Sequence, residues 1–133
     1  MSFRLRTTTE VKEKLQKLHN STGITPNYLS RLCIALSLLE DGEPEKVKGE
    51  PDGLEFNRPT LTGEQDVVYK ALIKQYSYQN INEKEYFPDV FNAHLHRGVD
   101  LLYQLYEYTG NYERFLEHLL DISFKNLDTV KEN

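Results

Sequence analysis

The fold is decided by residues 3–40, which read FRLRTTTEVKEKLQKLHNSTGITPNYLSRLCIALSLLE. The first five of these residues alternate apolar and polar side chains, a period of two that is typical of a short strand with one buried face. Phe3 and Leu5 are expected to point inward, and Arg4 and Arg6 outward. Such a strand presents two arginines to whatever faces it.

A helix is predicted to follow this strand directly. Thr7 stands three residues before Glu10, which is the capping-box spacing of a helix start. Gly23 supplies the left-handed conformation that often ends a helix. Between these signals, apolar side chains recur at helical spacing as Val11, Leu15 and Leu18.

A second helix is predicted from Thr25 and Pro26, with Thr25 as N-cap and proline at the first helical position, and it stops before Gly42. A strand followed by two helices is the order of a ribbon-helix-helix unit, in which the strands of two chains pair and read DNA. The apolar stripe of the second helix consists of Leu29, Leu32, Cys33, Leu36 and Leu39.

Turn-forming residues fill positions 41–63, where Leu54, Glu55 and Phe56 suggest at most a short strand. A third helix is predicted to begin at Thr62, with Gln65 at capping-box spacing. Its inner face is assigned to Val67, Val68, Ala71, Leu72 and Tyr76.

A fourth helix is predicted to begin at Pro88, with Gly98 inside it for the close approach of a neighbouring helix. A fifth begins after Asn111. The expected fold is therefore all-α, with about five helices and a short N-terminal strand. We expect one helical domain over residues 1–123 and a polar C-terminal tail over residues 124–133.

The composition indicates a globular protein, since 38% of the 133 residues are hydrophobic and 28% are charged. No stretch approaches the roughly 20 apolar residues of a membrane span, and no signal peptide is evident. Cys33 is the single cysteine, which excludes a disulfide framework. A cytoplasmic protein is the simplest interpretation.

The charge is distributed unevenly along the chain. Residues 1–31 hold six basic and two acidic side chains, a net charge of +4, whereas the remaining 102 hold ten and 19, a net charge of −9. Such an asymmetry suggests a basic end that meets an anion and an acidic body that does not. The alternative is that the lysines of the first helix are only its solvated face.

Nucleic acid is the anion that this basic end suits. The outward arginines of the strand can bond base edges or phosphates, free N–H groups at the start of the second helix favour phosphate, and lysines of the first helix add general attraction. Alternatively, Arg4 and Arg6 pair with glutamates of an oligomer partner. The candidate nucleic-acid-binding residues are Arg4, Arg6, Lys12, Lys14, Lys17, Thr25, Asn27 and Arg31.

Signs of catalysis or of a bound cofactor are missing from the sequence. Neither a glycine-rich phosphate loop nor a metal-binding cysteine pair is present. His94 and His96 are two residues apart on a predicted helix and point to different sides, so they do not share one ion easily. His94 is better explained as a hydrogen-bonded structural histidine, and the chain is expected to be neither an enzyme nor a cofactor protein.

Two stretches carry a resemblance to a known family. They are residues 15–27, LQKLHNSTGITPN, followed by the apolar helix with Arg31, and residues 93–99, AHLHRGV. In these stretches, and over about residues 3–122, the chain resembles the DndE family of DNA sulfur-modification proteins. The link Thr22-Gly23-Ile24-Thr25-Pro26-Asn27 is the more specific part of the resemblance.

The resemblance implies a role in replacing a non-bridging phosphate oxygen of DNA with sulfur, in a defence system of the restriction–modification type. It implies a small, mainly helical, cofactor-free homotetramer that binds duplex DNA, preferably nicked. It also implies partner subunits, an iron–sulfur sulfurtransferase and an ATPase among them. The net charge of −5 departs from that of a strong general DNA binder.

Two other functions remain open at this point. A ribbon-helix-helix transcriptional regulator or antitoxin would bind an operator through Arg4 and Arg6, but it would leave residues 62–122 unexplained. A protein adaptor of the Dnd complex would hold partner subunits without touching DNA. We expect a DNA-binding or scaffolding subunit in preference to both.

Overall fold

The computed structural model describes residues 4–77 and 80–132, with side chains as far as Ile122. Within these ranges it has five helices of 11 residues or more, one five-residue helix and one two-stranded sheet, so the expected all-α fold with a short N-terminal strand is confirmed. The elements are β1 (Arg4–Arg6), α1 (Thr9–Thr22), α2 (Pro26–Leu39), β2 (Glu55–Asn57), α3 (Arg58–Thr62), α4 (Asp66–Tyr76), α5 (Phe91–Thr109) and α6 (Tyr112–Glu132).

Strand β1 pairs with β2 of the same chain. The two strands are antiparallel and set Leu5 opposite Phe56, and both of these side chains are buried. Arg4 and Arg6 are exposed, as the alternation predicts, while Phe3 lies outside the described residues. One edge of β1 is therefore occupied within the chain, which differs from a ribbon formed by two chains.

Helix α1 begins one residue later than predicted. Its N-cap is Thr8, whose Oγ1 accepts a hydrogen bond from the N–H of Val11 at 3.4 Å. Thr7 is buried and belongs instead to the strand pairing, because its N–H donates to the carbonyl of Leu54 and its Oγ1 accepts from the N–H of Leu54. Gly23 ends the helix in the left-handed conformation, as predicted.

The centre of the molecule is the crossing of α2 and α5. Gly98 makes this crossing close, since a Cβ at this position would lie 1.9 Å from the carbonyl oxygen of Cys33. The expected close helix contact is thus confirmed, and it lies within one chain. Core side chains buried around it include Leu15, Leu18, Leu29, Ile34, Leu95, Val99, Leu102 and Phe115.

Helix α4 differs from its prediction in both start and orientation. It begins at Asp66 rather than Thr62, and its one buried side chain is Ile73. Val67, Val68 and Leu72 are 76%, 49% and 45% exposed, so the inner face assigned from the sequence was largely wrong. Apolar residues occur on most sides of this helix, and its neighbours select Ile73 for burial.

An ion network holds residues 58–66, the first part of which was predicted to belong to the 41–63 loop. The Arg58 guanidinium donates to both carboxylate oxygens of Asp66, at 2.9 and 2.8 Å, and contacts Glu83 at 2.6 Å. Glu83 also pairs with Lys70. Hydrogen bonds from Arg58 lower the pKa of Asp66, and this network ties α3 and α4 to the turn before α5.

The predicted fourth helix begins three residues late. Residues 85–90 form a kinked turn that leads into α5, with Phe87 in an extended conformation and a cis peptide bond between Phe87 and Pro88. Gly110 ends α5, and the Asn111 side chain accepts from the N–H of Arg114 at the start of α6, as expected.

Helix α6 continues through Glu132, so the backbone is helical across 124–132, which the sequence assigned to a polar tail. The division of the chain into a domain and a tail at residue 123 stays a prediction. In the described part of the chain, no helix has the length and apolarity to cross a membrane.

Candidate nucleic-acid interface

The two arginines of β1 share one carboxylate. Strand pairing sets Glu55 opposite Arg6, and its Oε1 lies 3.3 Å from the Arg6 guanidinium and 4.0 Å from that of Arg4. The side chains of Arg4 and Arg6 remain 72% and 49% exposed. The glutamate partner therefore comes from the same chain, and the two arginines keep a net positive charge at a solvent-facing position.

Lys14 is fastened to α5. Its ammonium group lies 2.7 Å from Asp100 and 3.2 Å from Glu10. Partial burial alone would lower the pKa of Lys14, but the hydrogen bonds to Asp100 and Glu10 outweigh it, so the pKa is raised. This lysine keeps its charge, but that charge is neutralised by two carboxylates, so it attracts phosphate less than the sequence suggests.

The neighbouring lysines differ from Lys14. Among the described side chains, neither Lys12 nor Lys17 makes an ion pair with a carboxylate. Lys17 is exposed, with its ammonium 5.8 Å from the centre of the Tyr103 ring. These two lysines are better placed than Lys14 to meet an external anion.

The start of α2 combines open backbone groups with an aromatic side chain. Thr25 is the N-cap, but its side chain makes no capping hydrogen bond. Arg31 donates to the carbonyls of Leu61 and Thr60, at 2.8 and 3.2 Å, and its guanidinium lies over the ring of Tyr28 at 5.0 Å. The unsatisfied N–H groups of this first turn and its dipole favour an anion.

The ring of Tyr28 was not anticipated as part of the site. Tyr28 is 60% exposed, and it lies three residues before Arg31, on the same side of α2. That spacing was the signal in the sequence that could have identified it. Exposed tyrosine beside arginine is a combination that proteins use to stack nucleic-acid bases.

Four of the eight candidate residues are held by side-chain contacts to other elements of the fold. Arg4 and Arg6 contact β2, Lys14 contacts α5, and Arg31 contacts α3. Thr25 is exposed and Asn27 half-buried at the start of α2. The structure thus distributes these candidate cations over several elements of the fold.

His94 is a structural residue, as expected from the sequence. Its Nδ1 lies 2.9 Å from Ser37 Oγ, which also accepts a hydrogen bond from Arg97. Burial, followed by the charge of Arg97, lowers the pKa of His94 to about 4, so the ring is neutral near pH 7. Arg97 also donates to the carbonyl of Gly42 at 2.7 Å, and together these bonds fix the end of α2 to α5.

The second histidine faces other partners. His96 Nδ1 lies 2.9 Å from the carbonyl of Asn92, and its Nε2 lies 3.4 Å from the amide nitrogen of Thr8. Since His94 bonds to Ser37, the two rings do not converge on one ion. Over the described residues, no group of three or more histidine, cysteine or acidic side chains could hold a metal.

A cavity of about 520 Å3 lies between the 43–47 segment and the start of α5. Its walls carry the carboxylates Glu43, Glu85 and Asp89 and one cation, Lys46. Because these carboxylates outnumber the lysine, the cavity repels phosphate and does not belong to the candidate interface.

Comparison with known families decides which proteins this chain is related to. Residues 4–110 match the family described as DNA sulphur modification protein DndE. The chain belongs to the DndE family. The match runs from β1 to the end of α5 and includes all eight candidate residues, whereas α6 lies beyond it.

Solved DndE structures share the fold. The crystal structure of DndE from Escherichia coli B7A, described as involved in DNA phosphorothioation modification, is 26% identical, with a TM-score of 0.61 over 74% of this chain and 96% of that one. A DndE G21/24K mutant, described as involved in DNA phosphorothioation, is 23% identical, with a TM-score of 0.60 over 77% and 97%. The comparison with curated proteins finds no match.

Proposed function

We propose that this protein is a non-catalytic DNA-binding or scaffolding subunit of the DNA phosphorothioation machinery. The observation that carries the proposal is the match to the DndE family over residues 4–110. The solved relatives with the same fold are described as involved in DNA phosphorothioation. A cytoplasmic location and a defence role belong to the same proposal.

Duplex DNA, intact or nicked, is the proposed ligand. The exposed Arg4 and Arg6, together with Lys12 and Lys17, give the N-terminal segment cations that face solvent. Contacts of this kind bind phosphates without reading sequence and weaken as salt rises. The acidic remainder of the chain is repelled by DNA, so the approach is restricted to the basic end.

The start of α2 carries groups that can bind the exposed phosphate and base at a nick in the duplex. Free N–H groups near Thr25 and Asn27 can donate hydrogen bonds to a phosphate, and Tyr28, held beside Arg31, offers a ring to a base with an open face. Base stacking on an aromatic side chain contributes about 1–3 kcal/mol. A nick exposes both a terminal phosphate and a terminal base, which supports the proposed preference for nicked duplex.

Homo-oligomerisation, as a tetramer, is part of the proposal. The open face of α4, consisting of Val67, Val68, Ala71, Leu72 and Gln75, is exposed and carries no charge. An apolar face of this kind is a common oligomer contact, and two copies can meet on it without like-charge repulsion. Several N-terminal segments would then bind one duplex, and avidity would offset the weak attraction of each.

A non-catalytic role is supported by the state of the single cysteine. Cys33 is fully buried against Gly98, and burial raises the pKa of its thiol. A buried, protonated thiol is a poor nucleophile and a poor sulfur carrier. We therefore assign sulfur transfer and energy supply to partner subunits, the iron–sulfur sulfurtransferase and the ATPase.

The DNA proposal is tested by fluorescence anisotropy with intact and nicked duplexes at two salt concentrations, with oligomer mass measured on the same samples. Charge reversal to Glu at Arg4, Arg6, Lys12 and Lys17 is expected to weaken binding about tenfold or more and to reduce the salt slope. The matched control reverses four cations elsewhere, Lys46, Lys48, Lys84 and Arg114, and is expected to retain more binding.

Equal losses from both sets would show that only net charge matters and would contradict the assigned interface. No binding at low salt by a well-formed oligomer would overturn the DNA proposal and favour the protein adaptor. Pull-down of the sulfurtransferase and ATPase subunits without DNA would then be the deciding observation. A discrete operator footprint would instead favour the transcriptional regulator.

The oligomer proposal has its own test. Val68→Asp with Leu72→Asp is expected to reduce the solution mass from that of a tetramer to that of two chains or fewer, because it buries charge in the proposed contact. Circular dichroism checks that the chain remains helical. An unchanged mass would mean that the copies meet elsewhere or not at all.

A further inference from the structure

Helix α6 lies beyond the part of the chain that matches the family. The family match ends at residue 110, and α6 begins at Tyr112. Among its described side chains, Phe115 is fully buried with its ring 5.3 Å from that of Tyr106, and Leu119 is half-buried, so this side of the helix packs on the body.

A row of apolar side chains lies along the open side of α6. Tyr112, Leu116 and Leu120 are spaced four residues apart, so they follow one another along the same side of the helix. They are 41%, 37% and 58% exposed, although large apolar side chains tend to be buried. We call these three residues the α6 stripe.

An acidic row runs beside the α6 stripe. Glu113 and Glu117 each follow one stripe residue in sequence, which places them about 100° further around the helix. Both are exposed. The other border of the stripe is α5, so the stripe is flanked by carboxylates on one side only.

We propose that the α6 stripe docks an amphipathic segment of a partner protein that carries an apolar face bordered by lysine or arginine. The apolar face would cover the stripe, and the basic border would lie against the acidic row. This inference is independent of the proposed DNA binding, since it concerns a part of the chain outside the family match.

Charge distinguishes this occupant from the alternatives. A second copy brings no basic border, since its own stripe lies between its acidic row and α5, and antiparallel pairing would set acidic row against acidic row. DNA is repelled by the same carboxylates. The uncharged open face of α4 shows the contrast, because a second copy can meet that surface without like charges in contact.

The test uses the full chain and a labelled synthetic helical peptide with leucine at every fourth position and a lysine beside each leucine. A control peptide carries glutamate in place of each lysine. Fluorescence anisotropy is expected to show binding of the lysine peptide alone, and this binding should weaken as salt rises.

Two variants and one control locate the binding. Leu116→Ser with Leu120→Ser removes the apolar contact, and Glu113→Lys with Glu117→Lys reverses the border. Each is expected to weaken binding of the lysine peptide about tenfold or more. Leu39→Ser changes an exposed leucine of α2; it is the control and should leave peptide binding unchanged. Circular dichroism verifies that all variants remain helical.

Several results would overturn the inference. They are failure of the natural chain to bind the lysine peptide, equal binding of both peptides, or full binding by the α6 variants. A fall in oligomer mass in the α6 variants would show that a second copy occupies the stripe. Because Leu116→Ser with Leu120→Ser changes no charge, unchanged DNA binding by this variant separates a failure here from a failure of the proposed function.

Discussion

Helices α5 and α4 are both rich in apolar residues, yet they meet opposite environments. Along α5, Phe91, Leu95, Val99 and Leu102 are buried, whereas α4 buries only Ile73 and exposes its other aliphatic side chains. The difference lies in the neighbour, since α2 approaches α5 closely and no described element covers the open face of α4. Apolar side chains at helical spacing therefore predict that a helix has a face that can be buried. The elements that pack against the helix determine how much of that face is buried.

The largest effect is expected at the closest contact. Gly98→Leu places a side chain where even a Cβ would meet the Cys33 backbone, so the free energy of unfolding should fall by about 4 kcal/mol or more. Ala71→Leu makes the same kind of enlargement on the exposed side of α4 and should change it by about 0.5 kcal/mol or less. Urea unfolding at low protein concentration measures both. Similar changes in the free energy of unfolding for the two variants would show that the α2–α5 contact is loose.

Two neighbouring positions in α4 sharpen the comparison within one helix. Ile73→Ala leaves a cavity in the core and should cost about 3 kcal/mol. Leu72→Ala, one residue earlier on the open side, should cost about 0.5 kcal/mol in the same urea experiment at low concentration. A loss at Leu72 as large as that at Ile73 would mean that the open face is covered in the isolated chain.

A smaller effect is expected from the polar part of the α2–α5 crossing. The pKa of His94 is lowered from 6.5 to about 4, so between these values the unfolded chain binds more protons than the folded one. Stability due to the neutral ring is therefore complete above pH 6.5 and is lost as the pH falls towards 4. This contribution should be about 1–2 kcal/mol.

His94→Asn isolates that contribution, because the amide oxygen can still accept a hydrogen bond from Ser37 without titrating. Unfolding free energies of both proteins at pH 7 and pH 4.5 are compared. The natural chain should lose about 1–2 kcal/mol more than the variant over this range, since carboxylates titrate in both. Parallel pH profiles would contradict the assigned role of His94.

Patterns of neighbouring residues in the sequence correctly predicted the N-terminal strand and the boundary between α1 and α2. The alternation in residues 3–7 gave the direction of Arg4 and Arg6, and the Gly-Ile-Thr-Pro link gave the boundary between α1 and α2. Thr7 was wrong as an N-cap because its hydrogen bonds go to Leu54, 47 residues away. Helix α3 was missed because it depends on ion pairs from Arg58 to Asp66 and Glu83. The residues next to Arg58 in the sequence do not predict these pairs.

The candidate interface shows the same limit. Exposure of the β1 arginines follows from their position in the strand, but the capture of Lys14 by Asp100 depends on a contact across 86 residues. The orientation of α4 was missed for a related reason. Several of its sides are apolar, so the choice of Ile73 as the buried residue comes from what packs against it.

The bonds that hold residues 42 and 54 have a consequence for chain length. Arg97 binds the carbonyl of Gly42 at one end of this segment, and Thr7 binds Leu54 at the other, so both ends are held by the folded body. For a loop anchored in this way, each doubling of length costs only about 0.6 kcal/mol of closure entropy. Residues 45–48 are therefore a place where we expect an inserted epitope or fluorophore to leave the fold intact.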